Sequence, residues 1–160
     1  MSTLSNSLLS GLTQSANRLV ARMKNKVSQN GLPQAISNAM SIEPAVATES
    51  GGSIDIVIDL NEDSGAPMAA AYEWGSGLHS TKYSPQLIPI PQRKPGPLHF
   101  YWENRGKWFY GAKLPFGHPG VAPRPYIEPS IEEELPEIKR IIGQEVKASI
   151  LIGIKEMFST

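Results

Sequence analysis

Five prolines fall among the fifteen residues from Pro115 to Pro129, and the rest of the chain is organised around them. Each proline fixes φ near about −65° and removes an N–H donor. The stretch can therefore neither continue a helix nor pair as a central strand. It reads as a stiff, extended arm with Pro119-Gly120 as its turn. Arg124, Tyr126 and Ile127 are expected to project from a backbone with little entropy left to lose, which suits docking. Ser130-Ile131-Glu132-Glu133 follows with capping-box spacing, so a helix is expected from Ser130.

On either side of the arm, periodicity divides the chain. Leu4, Leu8, Leu12, Ala16, Leu19, Met23 and Val27 recur at three- and four-residue steps, predicting a helix over 3–30 that Asn30-Gly31 stops. Ala35 to Met40 predicts a further helical turn. Pro44–Glu49 and Ile54–Leu60 flank Ser50-Gly51-Gly52-Ser53 as a hairpin, with Ile54, Ile56, Ile58 and Leu60 on its buried face. Asn61–Ala66 reads as a polar loop, and Pro67–Trp74 as a short helix that Gly75 ends. Residues 76–97 hold prolines at 85, 89, 91, 95 and 97 and read as a loop insertion, mobile in the free protein, in which Gln86–Ile90 forms an edge strand. Leu98–Glu103 and Lys107–Ala112 form a second hairpin around Asn104-Arg105-Gly106. Its aromatic residues are expected to pair across the strands.

The last helix runs to Phe158 with Ile131, Leu135, Ile138, Ile142, Val146, Ser149, Gly153 and Met157 as its apolar stripe. Pro136 is expected to kink or restart it. Ile150-Leu151-Ile152-Gly153-Ile154 is apolar all round, which suits a subunit contact on a helix or, alternatively, a short buried strand. The expected fold is α+β: an antiparallel sheet packed against a long N-terminal helix and a C-terminal helix, in one domain spanning 1–160.

Charge is balanced overall but arranged in blocks. Residues 1–42 carry Arg18, Arg22, Lys24 and Lys26 and no acid, whereas residues 43–73 carry seven acids and no base. Residues 74–127 are net +6 and residues 128–160 net −3. Pairing between blocks, within or between subunits, is expected. The acidic 43–73 and basic 74–127 blocks suit a head-to-tail subunit contact that includes Arg93 and Lys94. Arg18, Arg22 and Lys26 share one helix face, which reads as a solvated face or as a surface for DNA or an acidic partner.

Candidate chemistry is sparse. The chain has no cysteine, which excludes disulfides and thiolate metal sites and makes intracellular assembly the easier reading. His79, His99 and His118 lie about twenty residues apart, without ligand spacing. Gly75-Ser76-Gly77 has Trp74 where a nucleophile elbow needs glycine, and Gly106-Lys107 continues into Trp108 rather than a phosphate loop. Glu73 and Glu103 read as a helix-end charge and a strand's solvent face. No catalytic, metal or cofactor residue is expected, and no stretch is long and apolar enough to predict a membrane span. Met1-Ser2-Thr3-Leu4 does not begin a secretory signal. Tyr101, Trp102, Trp108, Tyr110 and Tyr126 suit core or interface positions better than base stacking.

Two places resemble a known family. Ala70-Ala71-Tyr72-Glu73-Trp74-Gly75-Ser76-Gly77 is similar to an alanine-rich, aromatic-acid-aromatic-glycine-threonine-glycine segment. His118-Pro119-Gly120, then Arg124-Pro125-Tyr126-Ile127-Glu128-Pro129-Ser130, is similar to a His-Pro-Gly-Thr, Pro-Phe-Leu-Arg-Pro-Ala ending. Both segments belong to the small neck or tail-completion proteins of long-tailed bacteriophages, of the lambdoid gene-ten-product type. The order of elements is similar as well. The chain departs from that pattern at Ser76, at Tyr126-Ile127, at Glu128 and at Ser130, and residues 78–97 exceed the family's minimum.

The resemblance implies a non-enzymatic structural protein without cofactors, located in the virion at the head–tail junction and assembled in the host bacterial cytoplasm. It implies a homo-oligomeric ring, hexamer or dodecamer, around the DNA passage. The implied partners are neighbouring connector or adaptor proteins and tail-terminator or tail-tube proteins, with no membrane. Interface residues carried over are Tyr72, Glu73, Gly75, His118, Pro119, Gly120, Arg124, Pro125, Tyr126 and Ile127, to which the charge blocks add Arg93 and Lys94. Arg18, Arg22 and Lys26 become candidates for non-specific contact with passing DNA. The alternative is a nucleic-acid-binding or hydrolytic phage accessory protein.

Overall fold

In a computed structural model of the chain, the described residues are 3–48, 51–64, 66, 68–86, 88, 98–102, 106–111 and 119–158. The fold is mixed α+β. The chain, read from its length as one domain, divides into two compact units: residues 1–69 with 125–160, and residues 70–124 inserted between them in sequence.

The first unit is built on two long antiparallel helices, α1 (Thr3–Gln29) and α4 (Glu128–Phe158). Gly11 lies against the Ile142 backbone, and a Cβ there would stand 3.4 Å from its Cα. Ala16, Met23 and Val27 of the expected stripe are buried, with Val20 beside them, while Leu8, Leu12 and Leu19 are half-buried. The helix stops at Gly31 in a Schellman motif. The Leu32 amide donates to the Val27 carbonyl at 2.9 Å, and both side chains enter the core. Burying groups such as Val27 and Ile36 contributes roughly 1.5–3 kcal/mol each.

After α2 (Gln34–Asn38) the chain forms a broken hairpin. β1 (Met40–Ile42) pairs with β4 (Ile56–Ile58), and β2 (Val46–Thr48) with β3 (Gly51–Ser53), both antiparallel. Between the two ladders, three residues around Pro44 oppose two, as in a bulge. Pro44 has no N–H to give, while the Glu43 amide still donates to Asp55 at 2.9 Å. The first strand therefore starts at Met40, where a helical turn was expected. Ile54, Ile56 and Ile58 are half-buried, whereas Leu60 is exposed.

α4 departs from its sequence reading at its start and in its buried face. It starts at Glu128, and Ser130 is not its cap: the buried Ser130 hydroxyl lies inside the first turn and donates to the Tyr126 carbonyl at 2.5 Å. It is one helix through Pro136 and, as the reading to Phe158 expected, across Ile150–Ile154. Pro136 and Glu132 are both exposed, so the carbonyl that lacks a donor faces water. The buried face is also turned by one residue, to Ser130, Glu134, Ile141 and Ser149, and leaves Ile131 and Leu135 exposed. A buried acid displaced the apolar stripe.

The second unit contains the end of α3 (Ala69–Trp74), a 3-10 turn over Gly77–His79, and a hairpin of β5 (Leu98–Trp102) with β6 (Lys107–Gly111). Its register opposes Tyr101 to Trp108 and His99 to Tyr110, across a loop that closes at Gly106. Among the described residues the strands make three separate two-stranded ladders rather than one sheet.

Candidate functional site

In the second unit, the two stretches singled out by the sequence are woven together. Gly75 ends α3 with φ 70°, Gly77 follows with φ 61°, and Gly120 has φ 94°. The Ser76 amide donates to the Val121 carbonyl at 2.9 Å, and the Val121 amide donates to Ser76 Oγ at 3.0 Å. The Leu78 amide donates to the Pro119 carbonyl at 2.7 Å, and the Arg124 amide to the Tyr72 carbonyl at 2.6 Å. A side chain at Gly120 would overlap the Ser76 carbonyl, and one at Gly77 would overlap that of Pro119. Only glycine tolerates both the positive φ and this approach. Prolines 119, 123 and 125 donate nothing, so the arm bonds through the amides that remain. The result is a backbone knot joining residues 45 apart in sequence.

Beside the knot lies a groove of about 400 Å³, lined by Ala70, Ala71, Trp74, Ser80, Tyr83 and Ile88 among others. Lys82 Nζ sits 4.1 Å from the Trp74 ring centroid, within cation–π range. The Thr81 amide and hydroxyl both donate to the Trp74 carbonyl, at 2.8 and 2.9 Å. The Gln86 amide reaches Gly77 at 3.3 Å. Residues 76–86 are therefore hydrogen-bonded to the body of this unit. Beyond them, apart from Ile88, the expected insertion lies outside the described residues, as do Arg93, Lys94, Glu103 and His118.

Comparison with protein-family models, curated proteins and solved structures finds no match. Function must therefore be read from geometry.

The carried-over residues separate into distinct roles. Tyr72, Gly75, Pro119 and Gly120 belong to the knot through their backbones, and Glu73 is buried beside Trp74. Arg124 is exposed, as is Pro125, whose carbonyl accepts from Asn30 Nδ2 at 3.0 Å within the first unit. Ile127 is half-buried. Tyr126 does not project. It is 0% exposed in the core of the first unit, where its hydroxyl donates to the Ala69 carbonyl at 3.4 Å. The ring is too large and apolar to remain in water when a core lies within one residue's reach.

The basic row of α1 meets the first turns of α4. Arg18 Nε lies 2.6 Å and Arg22 Nε 2.9 Å from the Glu134 carboxylate, and Lys26 Nζ lies 2.5 Å from Glu133. Glu134 is buried while the arginines stay about half exposed. The Arg18 hydrogen bond, with that of Arg22, holds the Glu134 carboxyl below its ordinary range, against the upward push of burial. The first and last charge blocks thus pair inside one chain, through Arg18, Arg22 and Lys26 on α1 and Glu133 and Glu134 on α4. This latch had a sequence signal: bases at i, i+4 and i+8, and paired glutamates opening the last helix. The Lys82–Trp74 contact had none, since it joins a helix end to a loop without periodicity. Among the described residues no three His, Asp or Glu side chains come together as metal ligands.

Proposed function

We propose that this chain is a structural protein of a tailed-phage virion, a ring-forming neck or tail-completion protein at the head–tail junction. The observation that supports this reading is the knot. The two stretches that carry the resemblance are distant in sequence, yet they build one interlocked element, with Gly77 packed on Pro119 and Gly120 on Ser76. Ser76 stands where threonine is usual in that pattern, and its hydroxyl accepts the Val121 amide, a role either residue performs. Such an element presents a fixed surface and offers no reacting group, which suits assembly. The nucleic-acid reading is weaker, because the bases it needs on α1 are neutralised by Glu133 and Glu134.

The test is mass measurement and electron microscopy of the purified protein, alone and mixed with the connector and tail-tube proteins of the same phage. Rings with a central passage, or a joint complex with either partner, are expected. A protein that forms neither overturns the proposal.

A further inference from the structure

Part of the stripe on α4 that the sequence offered for packing is left on the surface, together with two isoleucines outside that stripe. Ile131, Leu135, Ile150 and Ile154 are 40–49% exposed, and Ile142 and Val146 between them are only half-buried. At about 100° per residue these six lie along one flank of the helix, beside the face that meets α1. Lys139 rises from the same flank, and its aliphatic stem extends the apolar surface while its charge stays in water.

Two further observations say what covers this flank. First, Gly143 is exposed in the middle of α4, with φ in the ordinary helical range and no atom within 4 Å of where its Cβ would be. Within its own chain nothing requires a glycine there, although glycine in a helix interior costs about 1 kcal/mol relative to alanine. A second helix crossing at that point does require a small residue, because it lets two backbones approach. Second, charge is polarised along the helix. Residues 128–138 carry Glu128, Glu132, Glu133, Glu134 and Glu137 and no base, whereas residues 139–158 carry four bases and two acids. Glu133 and Glu134 are taken by α1 and Glu137 by Arg140, but a parallel copy would still set exposed Glu132 against Glu132 and Lys147 against Lys147, which an antiparallel copy keeps apart.

We propose that α4 is a homodimer seam, in which the same flank of a second copy packs antiparallel across a two-fold axis next to Gly143. The stripe has the symmetry this needs. About a centre between Ile142 and Gly143, Ile131 falls opposite Ile154 of the other copy, and Leu135 opposite Ile150. Residue i meeting j while j meets i defines an isologous contact. The seam is about 35 Å long and one helix wide, roughly 10 Å. That is smaller than the roughly 800 Å² per partner of a standard stable interface. The dimer is therefore reversible and depends on protein concentration. The inference rests on α4 alone and is independent of the neck proposal.

Sedimentation of the full chain over a concentration series should show a monomer–dimer equilibrium. Ile150→Glu and Gly143→Leu should each raise the dissociation constant at least tenfold with unchanged helical circular dichroism. Neither change meets an obstacle in the monomer, since Ile150 is exposed and Gly143 has open space. Orientation is read by disulfide trapping, which the absence of native cysteine makes clean. Gly143→Cys should cross-link to itself, Leu135→Cys should not, and Leu135→Cys mixed with Ile150→Cys should. A chain that stays monomeric at all concentrations overturns the seam. So does a dimer or larger oligomer indifferent to both substitutions, or self-linking of Leu135→Cys.

Discussion

The two units are stabilised by different parts of the chain. In the first, eleven apolar residues among those described are buried, from Ala16 on α1 to Ile141 on α4, and side chains decide the packing. In the second, the buried residues among those described are Glu73 and Gly75, and amide-to-carbonyl bonds between residues 72–78 and 119–124 decide it. A side-chain core loses stability in proportion to the atoms removed. A backbone knot is sensitive to atoms added, since a single methyl group meets a carbonyl. The two units should therefore fail under opposite kinds of substitution.

The largest effect should come from Tyr126→Ala. Removing a fully buried aromatic ring costs about 3–5 kcal/mol, and the helical circular-dichroism melt should shift down by many degrees or vanish. A variant that melts normally and fails only in assembly would return Tyr126 to the surface role its sequence suggested.

Next is Gly120→Ala, which adds one methyl group where φ is 94° and the Ser76 carbonyl already stands. The strain should cost at least about 2 kcal/mol. Hydrogen exchange should locate it: the Ser76, Leu78 and Val121 amides lose protection while those of α1 keep theirs. Uniform loss along the chain would mean that the two units do not fail separately.

Glu134→Gln tests the latch and should cost about 1–2 kcal/mol, because the half-exposed arginines regain water in its place. The wild type should also depend on pH. A carboxyl held below its ordinary value of 4.5 in the folded chain contributes stability that is complete above that value. That stability is lost as pH falls through the lower, folded value. Denaturant midpoints measured downward from pH 6 should fall more steeply for the wild type than for Glu134→Gln. Parallel curves would remove Glu134 as the cause.

The smallest effect belongs to Ser76. Ser76→Ala leaves the Val121 amide without its acceptor and should cost about 1 kcal/mol, which Ser76→Thr should restore. Equal loss in both variants would mean that space, not the hydroxyl, matters at that position.

Local signals made the first unit readable. The three- and four-residue spacing on α1 predicted which side chains are buried, because a helix's own geometry carries residues so spaced to one face. Gly31 ended that helix, and the isoleucine alternation at 54, 56 and 58 placed one hairpin face inward. The glycine segment and the Pro-Gly turn were visible as motifs, though nothing local said that they would bond to each other.

What the sequence determined by itself is therefore each element's existence, its approximate ends and the short-range conformations that proline and glycine impose. These follow from dihedral preferences and periodicity, which act over a few residues. Tertiary structure alone decided which faces meet. α4 offered an apolar stripe at Ile131, Leu135 and Ile142, yet it packs through Glu134, because Arg18 and Arg22 on the opposing helix provide that carboxylate with two charged hydrogen bonds. Tyr126, read as an anchor held out by prolines, turned inward because a core lay adjacent to it. Partner identity is a property of pairs distant in sequence, and a single helix or arm cannot encode it alone.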